Sequence, residues 1–232
     1  MKRYAIIPTR ESVTDCKNKA TTVGKLNDFL TKAGWEVHFI RQAESMLGAL
    51  RTGIEECGVT FKDYVIFCHD DIEVLNNREV FMGVLDAKLK DSTTGFVGVA
   101  GTSHLTEEIN WYACALRNNS GGGSIYHGAD HESMNISAFG PKQTAVTLDG
   151  VFLACKGDVL LRIKLRSPAA WNAKWHHYDT WMTFQAYLGG RTNHIAPLSL
   201  RHASGGSYDA AYAKDIPKVA NSFAKHLPAI IY

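Results

Sequence analysis

The tripeptide His69-Asp70-Asp71 closes the apolar run Tyr64-Val65-Ile66-Phe67-Cys68, setting an imidazole and two carboxylates at the mouth of a buried strand. Open α/β sheets bind ligands in the crevice beyond the carboxyl ends of their strands. Hard divalent cations take carboxylate oxygen, and a cation held there can neutralise a diphosphate. The residue types therefore suggest a metal and phosphate site, with a nucleotide sugar as the first candidate ligand. The competing reading is a polar, Asp-rich turn that simply ends the strand.

Three later clusters repeat the pattern. Asp149-Gly150 interrupts the apolar stretch Val146 to Ala154, where a carboxylate must face a polar cleft or find buried partners; a glycine-containing bulge is the alternative. His176-His177-Tyr178-Asp179 precedes a helical stretch with Trp181, Phe184 and Leu188, so Asp179 is either an N-cap or a catalytic group, and the two are compatible. Ser199-Leu200-Arg201-His202-Ala203-Ser204-Gly205-Gly206 offers an imidazole, a guanidinium, hydroxyls and backbone amides, or else a solvated loop.

The elements that position these clusters alternate. Tyr4 to Pro8 reads as a buried strand, followed by a polar loop, Thr9 to Lys19, at its carboxyl end. Val23, Leu26, Phe29 and Leu30 recur at helical spacing, with Thr21 or Thr22 as cap and Gly34 as stop. Trp35 to Ile40 is a strand, Met46, Leu47, Leu50 and Ile54 mark a helix closing near Gly58, and the strand before His69 follows. Val80, Phe81, Val84 and Leu85 predict another helix, and Phe96 to Ala100 a strand ending at Gly101-Thr102-Ser103-His104. Such alternation predicts an α/β fold with a mostly parallel central sheet, right-handed crossovers and flanking helices. Further on, Asn118 to Gly123 reads as a flexible loop, Thr144 to Cys155 as a strand broken at Asp149-Gly150, Tyr178 to Leu188 as a helix, and Arg191 to Ile195 as a strand. Pro217 predicts a kinked or split helix within Tyr208 to Leu227.

At 232 residues without a linker, one domain is expected over 1–232, with 1–104 as the nucleotide-binding half and 105–232 as the acceptor and catalytic half. A formal net charge of +2 gives no global field for nonspecific nucleic-acid binding. The five cysteines lack paired spacing and suit reduced, buried thiols. The opening Met1-Lys2-Arg3-Tyr4 enters a strand directly, and no run approaches membrane-spanning length. A cytoplasmic location is the expectation.

In this order the motifs resemble the small glycosyltransferases of GT-A fold, especially the family-2-like group, over most of the chain. Ala5-Ile6-Ile7-Pro8-Thr9 is similar to their opening strand, Val65 to Asp71 to the strand ending in the acidic metal motif, Leu148 to Ala154 to a third piece, and His177-Tyr178-Asp179 before a helix closing in Gly189-Gly190 to a fourth. The resemblance implies a nucleotide-sugar donor, most simply a UDP-sugar, with the base held near Pro8, Thr9 and Arg10. It also implies Asp179 as general base, with His177 in reserve, and His202 completing a metal site. The usual acidic motif begins with aspartate, where this chain has His69. Either His69 and Asp71 ligate while Asp70 points away, or Asp70 and Asp71 share the work; the two-residue repeat of an extended segment favours the first. An imidazole ligand tilts the expected cofactor toward Mn2+ over Mg2+.

Asp70, Asp149, Gly150, Trp175 and Arg201 complete the expected donor- and acceptor-binding set, with Trp175 stacking on a sugar face and Trp181 read as core. Single displacement with Asp179 as base would invert the anomeric centre. The acceptor is open: a saccharide, a lipid-linked group, or hydroxymethylated phage-type DNA reached through Arg162, Lys164, Arg166 and Lys174 with Trp171 and Trp175 interleaved. A solvated basic face is the simpler account of that segment. Two other classes compete: a metal-dependent phosphoester hydrolase built on His69, Asp70, Asp71, Asp179 and His202, and a noncatalytic nucleotide-sugar-binding module.

Overall fold

The computed structural model describes residues 1–168, 171, 174–204 and 209–231. In chain order these form β1 (Arg3–Thr9), α1 (Val13–Lys17), α2 (Thr22–Lys32), β2 (Glu36–Arg41), α3 (Met46–Cys57), β3 (Tyr64–Cys68), β4 (Ile72–Val74), α4 (Arg78–Leu89), β5 (Thr94–Gly98), β6 (Ala100–Thr102), β7 (His104–Leu105) and α5 (Trp111–Arg117). Then come β8 (Gly121–His127), β9 (Asn135–Pro141), β10 (Thr144–Ala145), β11 (Thr147–Leu148), β12 (Phe152–Lys156), α6 (Gly157–Leu160), α7 (Tyr178–Leu188), β13 (Thr192–Ile195), β14 (Leu200–His202), α8 (Ala210–Phe223), a 3-10 turn and β15 (Ala229–Ile230).

The central sheet has the order β10-β13-β5-β12-β3-β1-β2. Its inner strands β1, β3, β5 and β12 are buried on both faces because both faces are covered. Along β1 and β3, Ile6, Val65 and Phe67 join Met46, Leu50 and Ile54 of α3 in one core. The alternate residues Ala5, Ile7, Ile66 and Cys68 join Leu26 and Leu30 of α2 and Phe81 and Leu85 of α4 in the other. The helices start where short polar side chains satisfy free backbone amides: Gly24 N–H donates to Thr21 Oγ1, Gly48 N–H to Ser45 Oγ and Val80 N–H to Asn77 Oδ1.

The expected α/β layering holds, but the sheet is mixed. β1 pairs in parallel with β2 and β3, and β5 with β13, whereas β12 runs antiparallel between β3 and β5. The reason lies in the path: β12 enters from the turn at Asp149-Gly150, which sits at the carboxyl end of β3, so it can only run back down. A second sheet, β11-β6-β8-β14-β4 with β9 on β8, closes over that end of the molecule.

Three other expectations are corrected. The loop after β1 contains the short helix α1, capped by Ser12. The glycine-rich segment is the start of strand β8, pressed between β6 and β9. A Cβ at Gly122 would collide with the Lys142 carbonyl, and one at Gly123 with the Val99 carbonyl, so those glycines serve close packing of backbones. α8 is not split but runs from Ala210 to Phe223 with Pro217 inside; Tyr208, where that segment was expected to begin, lies outside the described residues.

Candidate active site

Strand register gathers the motifs. Phe152 of β12 stands opposite Cys68 of β3, so the 149–151 turn lies beside the 69–71 turn, and His69 N–H donates to Val151 O at 3.1 Å. The end of β14 is tied to the same place, with Ala203 N–H donating to Asp71 O at 2.9 Å. The start of α7 completes the group: the Tyr178 ring meets Phe67 edge-on at 5.9 Å and its hydroxyl donates to Gly150 O at 2.9 Å. A side chain at Gly150 would run into that hydroxyl, which explains a glycine here better than a ligand contact does.

His69, Asp71 and His202 offer ligand atoms that all lie within 4.8 Å of one another. His69 Nδ1 is 3.2 Å from His202 Nε2, which is 3.2 Å from Asp71 Oδ1; His69 Nδ1 to Asp71 Oδ1 is 3.9 Å. Atoms each roughly 2.1 Å from one cation at right angles stand about 3 Å apart, so the spacing fits a divalent ion. The tautomer fits as well. Tyr178 gives its proton to Gly150, so at 2.8 Å His69 Nε2–H must donate to the Tyr178 oxygen, leaving the Nδ1 lone pair aimed into the triad. Of the two arrangements considered from sequence, this is the one with His69 and Asp71 together. Asp70 faces away and accepts from Thr9 Oγ1.

Electrostatics separate the carboxylates. Burial pushes Asp71 up, but hydrogen bonds and charge from His202, with the Ser204 contacts, outweigh it and hold Asp71 well below the ordinary range. Burial and His202 bring His69 down to about 4, so the ring is neutral and able to ligate. Asp149 is pushed up to about 6 by burial and then by the Asp179 charge, although Val151 N–H donates to its Oδ1 at 2.7 Å. Asp179 is raised by burial, against the Thr180 N–H bond to its Oδ1 at 2.7 Å. It occupies the first turn of α7; the N-cap position is His177, at φ 57°, so Asp179 is not the cap.

Two clefts meet at the triad. One, of about 660 Å³, is lined by Pro8, Thr9, Arg10 and Asp70. The other, of about 780 Å³, is lined by Asp149, Gly150, His177 and Asp179. His69, Trp175 and Ser204 line both. Trp175 is exposed, with the Arg10 guanidinium 5.6 Å above its ring.

Other expected residues sit elsewhere or are already engaged. Arg201 is buried and lines neither cleft: its guanidinium donates to Glu73 at 2.7 Å and to the carbonyls of Gly128 and Ala129 at 2.7 and 2.9 Å. Its work is to anchor β14 and thereby His202. His177 stacks on Tyr212 at 4.2 Å and donates from Nε2 to the Tyr212 carbonyl at 3.0 Å. Trp171 and Trp181 pack together in the core at 5.0 Å. The four basic residues of that segment, Arg162, Lys164, Arg166 and Lys174, line neither cleft. Arg162 lies over Phe61, before the start of β3 and so at the far end of the sheet, and the Lys164 backbone bonds Gln185 and Trp181 well along α7. Sequence reasoning missed Tyr178 as the group that orients His69, although it stands inside the quoted His177-Tyr178-Asp179 motif. It also missed His127, which pairs in register with His202 on neighbouring strands: only the first residues of its strand, Gly121 to Gly123, fall in the expected loop, and Ser124 to His127 carry no assignment from sequence.

The backbone is similar to that of GalNAc-T7 crystallised with UDP, GalNAc and Mn2+, at TM-score 0.54 and 12% identity, over 94% of this chain and 48% of that one. This is the fold of GT-A glycosyltransferases. Also similar are the Pyrobaculum calidifontis mannosyltransferase PcManGT with GDP-Man and Mn2+ (TM-score 0.48, 13% identity, 99% of this chain, 66% of that one) and A197 from STIV (0.46, 16%, 88% and 83%). The chain thus spans about half of the GalNAc-T7 chain and two thirds of PcManGT. Residues 15–192 match the model of a glycosyltransferase-like family, and the chain belongs to that family. No curated protein matches it. Among the described residues no helix is long and apolar enough to cross a membrane.

Proposed function

We propose that the protein is a metal-dependent glycosyltransferase that moves a sugar from a nucleotide-diphosphate donor, a UDP-sugar, to an acceptor hydroxyl with inversion. The observation that carries this reading is the position of the His69-Asp71-His202 triad at the junction of two clefts, one beside Pro8, Thr9 and Arg10, the other beside Asp149 and Asp179. Two imidazoles with one carboxylate suit Mn2+ better than Mg2+. When bound, such a cation supplies charge for the departing diphosphate.

The chain's own residues do the rest. Arg10 and Asp70 border the donor, and the Arg10 guanidinium, held over Trp175, meets phosphate oxygen. Asp179 takes the acceptor proton while the acceptor oxygen bonds to the anomeric carbon and the bond to the diphosphate breaks, its electrons leaving with the diphosphate. Burial raises the Asp179 pKa and so makes the carboxylate a better base than an exposed aspartate. Asp149, fixed by Val151 N–H, accepts from sugar hydroxyls. A cytoplasmic location belongs to the same proposal and is supported by the free thiols of all five cysteines.

Calorimetry with UDP tests it. The parent is expected to bind UDP with Mn2+ and at least tenfold more weakly in EDTA, and Asp71→Ala to lose that dependence. Equal UDP affinity with Mn2+ and with EDTA in the parent would remove the metal from the account.

A further inference from the structure

The second cleft has a composition that selects its occupant. Among the residues lining it there is no lysine or arginine, while Asp149 and Asp179 both face it. The nine residues outside the described set are Ala169, Ala170, Asn172, Ala173, Gly205, Gly206, Ser207, Tyr208 and Tyr232, so none of them adds a fixed cation. The arginine at this site, Arg10, lines the other cleft. Recognition of a phosphate backbone depends on Lys and Arg, and an anionic acceptor would instead meet two carboxylates.

The wall away from the triad is an aromatic platform with amide and hydroxyl groups beside it. Tyr112 on α5 is 39% exposed, and its ring is propped by buried Trp111 at 6.1 Å and Phe139 at 5.7 Å, which pack on each other at 5.0 Å. Ser137 and Asn135 share one face of the edge strand β9; Phe139 is the extra residue where the β8–β9 register shifts, and all three line the cleft. A ring supported from behind presents a flat apolar surface to the C–H face of a pyranose, and the amide and hydroxyl match its equatorial hydroxyls.

We infer that the acceptor is an uncharged saccharide, seated with one ring on Tyr112 and its hydroxyls toward Asn135 and Ser137, and that nucleic acid and other polyanions are excluded from this cleft. The inference rests on the transferase reading and narrows it: the aromatic platform alone would also accept a nucleobase, and the missing cations decide against one.

The experiment uses the full chain with Mn2+ and UDP on an array of uncharged oligosaccharides, anionic oligosaccharides and hydroxymethylcytosine-containing DNA. The expected result is binding confined to uncharged glycans. Tyr112→Ala should weaken that binding at least tenfold and Tyr112→Phe less than threefold, both leaving the calorimetric affinity for UDP with Mn2+ within twofold of the parent. Binding only to DNA or to anionic glycans, retention of no glycan, or equal glycan binding by Tyr112→Ala and the parent would overturn the assignment while leaving the donor reading intact. Loss of Mn2+-dependent UDP binding in the parent would overturn the transferase reading itself.

Discussion

Replacing Tyr178 by phenylalanine isolates one atom of the site. The ring stays, with its edge-on packing against Phe67 at 5.9 Å, and the hydroxyl that joins His69 Nε2 at 2.8 Å to Gly150 O at 2.9 Å is removed. Two consequences follow. The Gly150 carbonyl, at a buried position, loses its donor, which costs about 1–3 kcal/mol of stability. The His69 Nε2 proton loses its acceptor, so the ring is no longer held in the tautomer that turns the Nδ1 lone pair toward Asp71 and His202. Loss of such an outer partner typically costs about 10- to 100-fold in metal affinity, or about 1.4–2.7 kcal/mol. The assay is titration of the metal-free protein with Mn2+, paired with chemical denaturation in EDTA. An Mn2+ affinity within twofold of the parent in a folded variant would refute the claim that Tyr178 orients His69.

Asp179→Asn should lower turnover about 100- to 10,000-fold while leaving UDP affinity with Mn2+ near the parent value, as steady-state kinetics and calorimetry can read; transfer at the parent rate would place the base elsewhere. Asp149 has its folded pKa raised from 3.8 to about 6, so the folded protein binds its proton more tightly than the unfolded chain. Stability is then lost as pH rises through that window, by at most about 3 kcal/mol. Asp149→Asn should therefore gain on the parent between pH 4 and pH 7 in metal-free thermal melts, and a constant difference across that range would contradict the assignment. Arg201→Ala leaves two backbone carbonyls without their donor and Glu73 with only the exposed His131 beside it, and should cost about 3–5 kcal/mol in denaturant unfolding. A variant as stable as the parent that loses UDP affinity would return Arg201 to the donor site.

Local chemistry in the sequence determined a good deal. The apolar runs of β1 and β3, the Thr21 cap, the periodicity of α3, the α7 boundaries and the tripeptide at the end of β3 are all legible, because strand burial, helix capping and helical periodicity are written within a few residues. The placement of His69 and Asp71 side by side, with Asp70 turned to Thr9, also follows from the two-residue repeat of an extended chain.

What only the tertiary structure decided was which polar groups are free. Arg201 and His202 are neighbours in one short strand, yet one is consumed by Glu73 while the other faces Asp71, since successive residues of β14 point to opposite sides and the partner of each comes from over 120 positions away. The three consecutive glycines look like a loop until β6 and β9 close on either side and leave no room for a Cβ. Tyr178 carries no signal of its own; its role arises because α7 begins where the turn at Gly150 meets the end of β3. Composition fixes what each side chain is able to do, and packing, by assigning partners at long range, decides which of them remain available to a ligand.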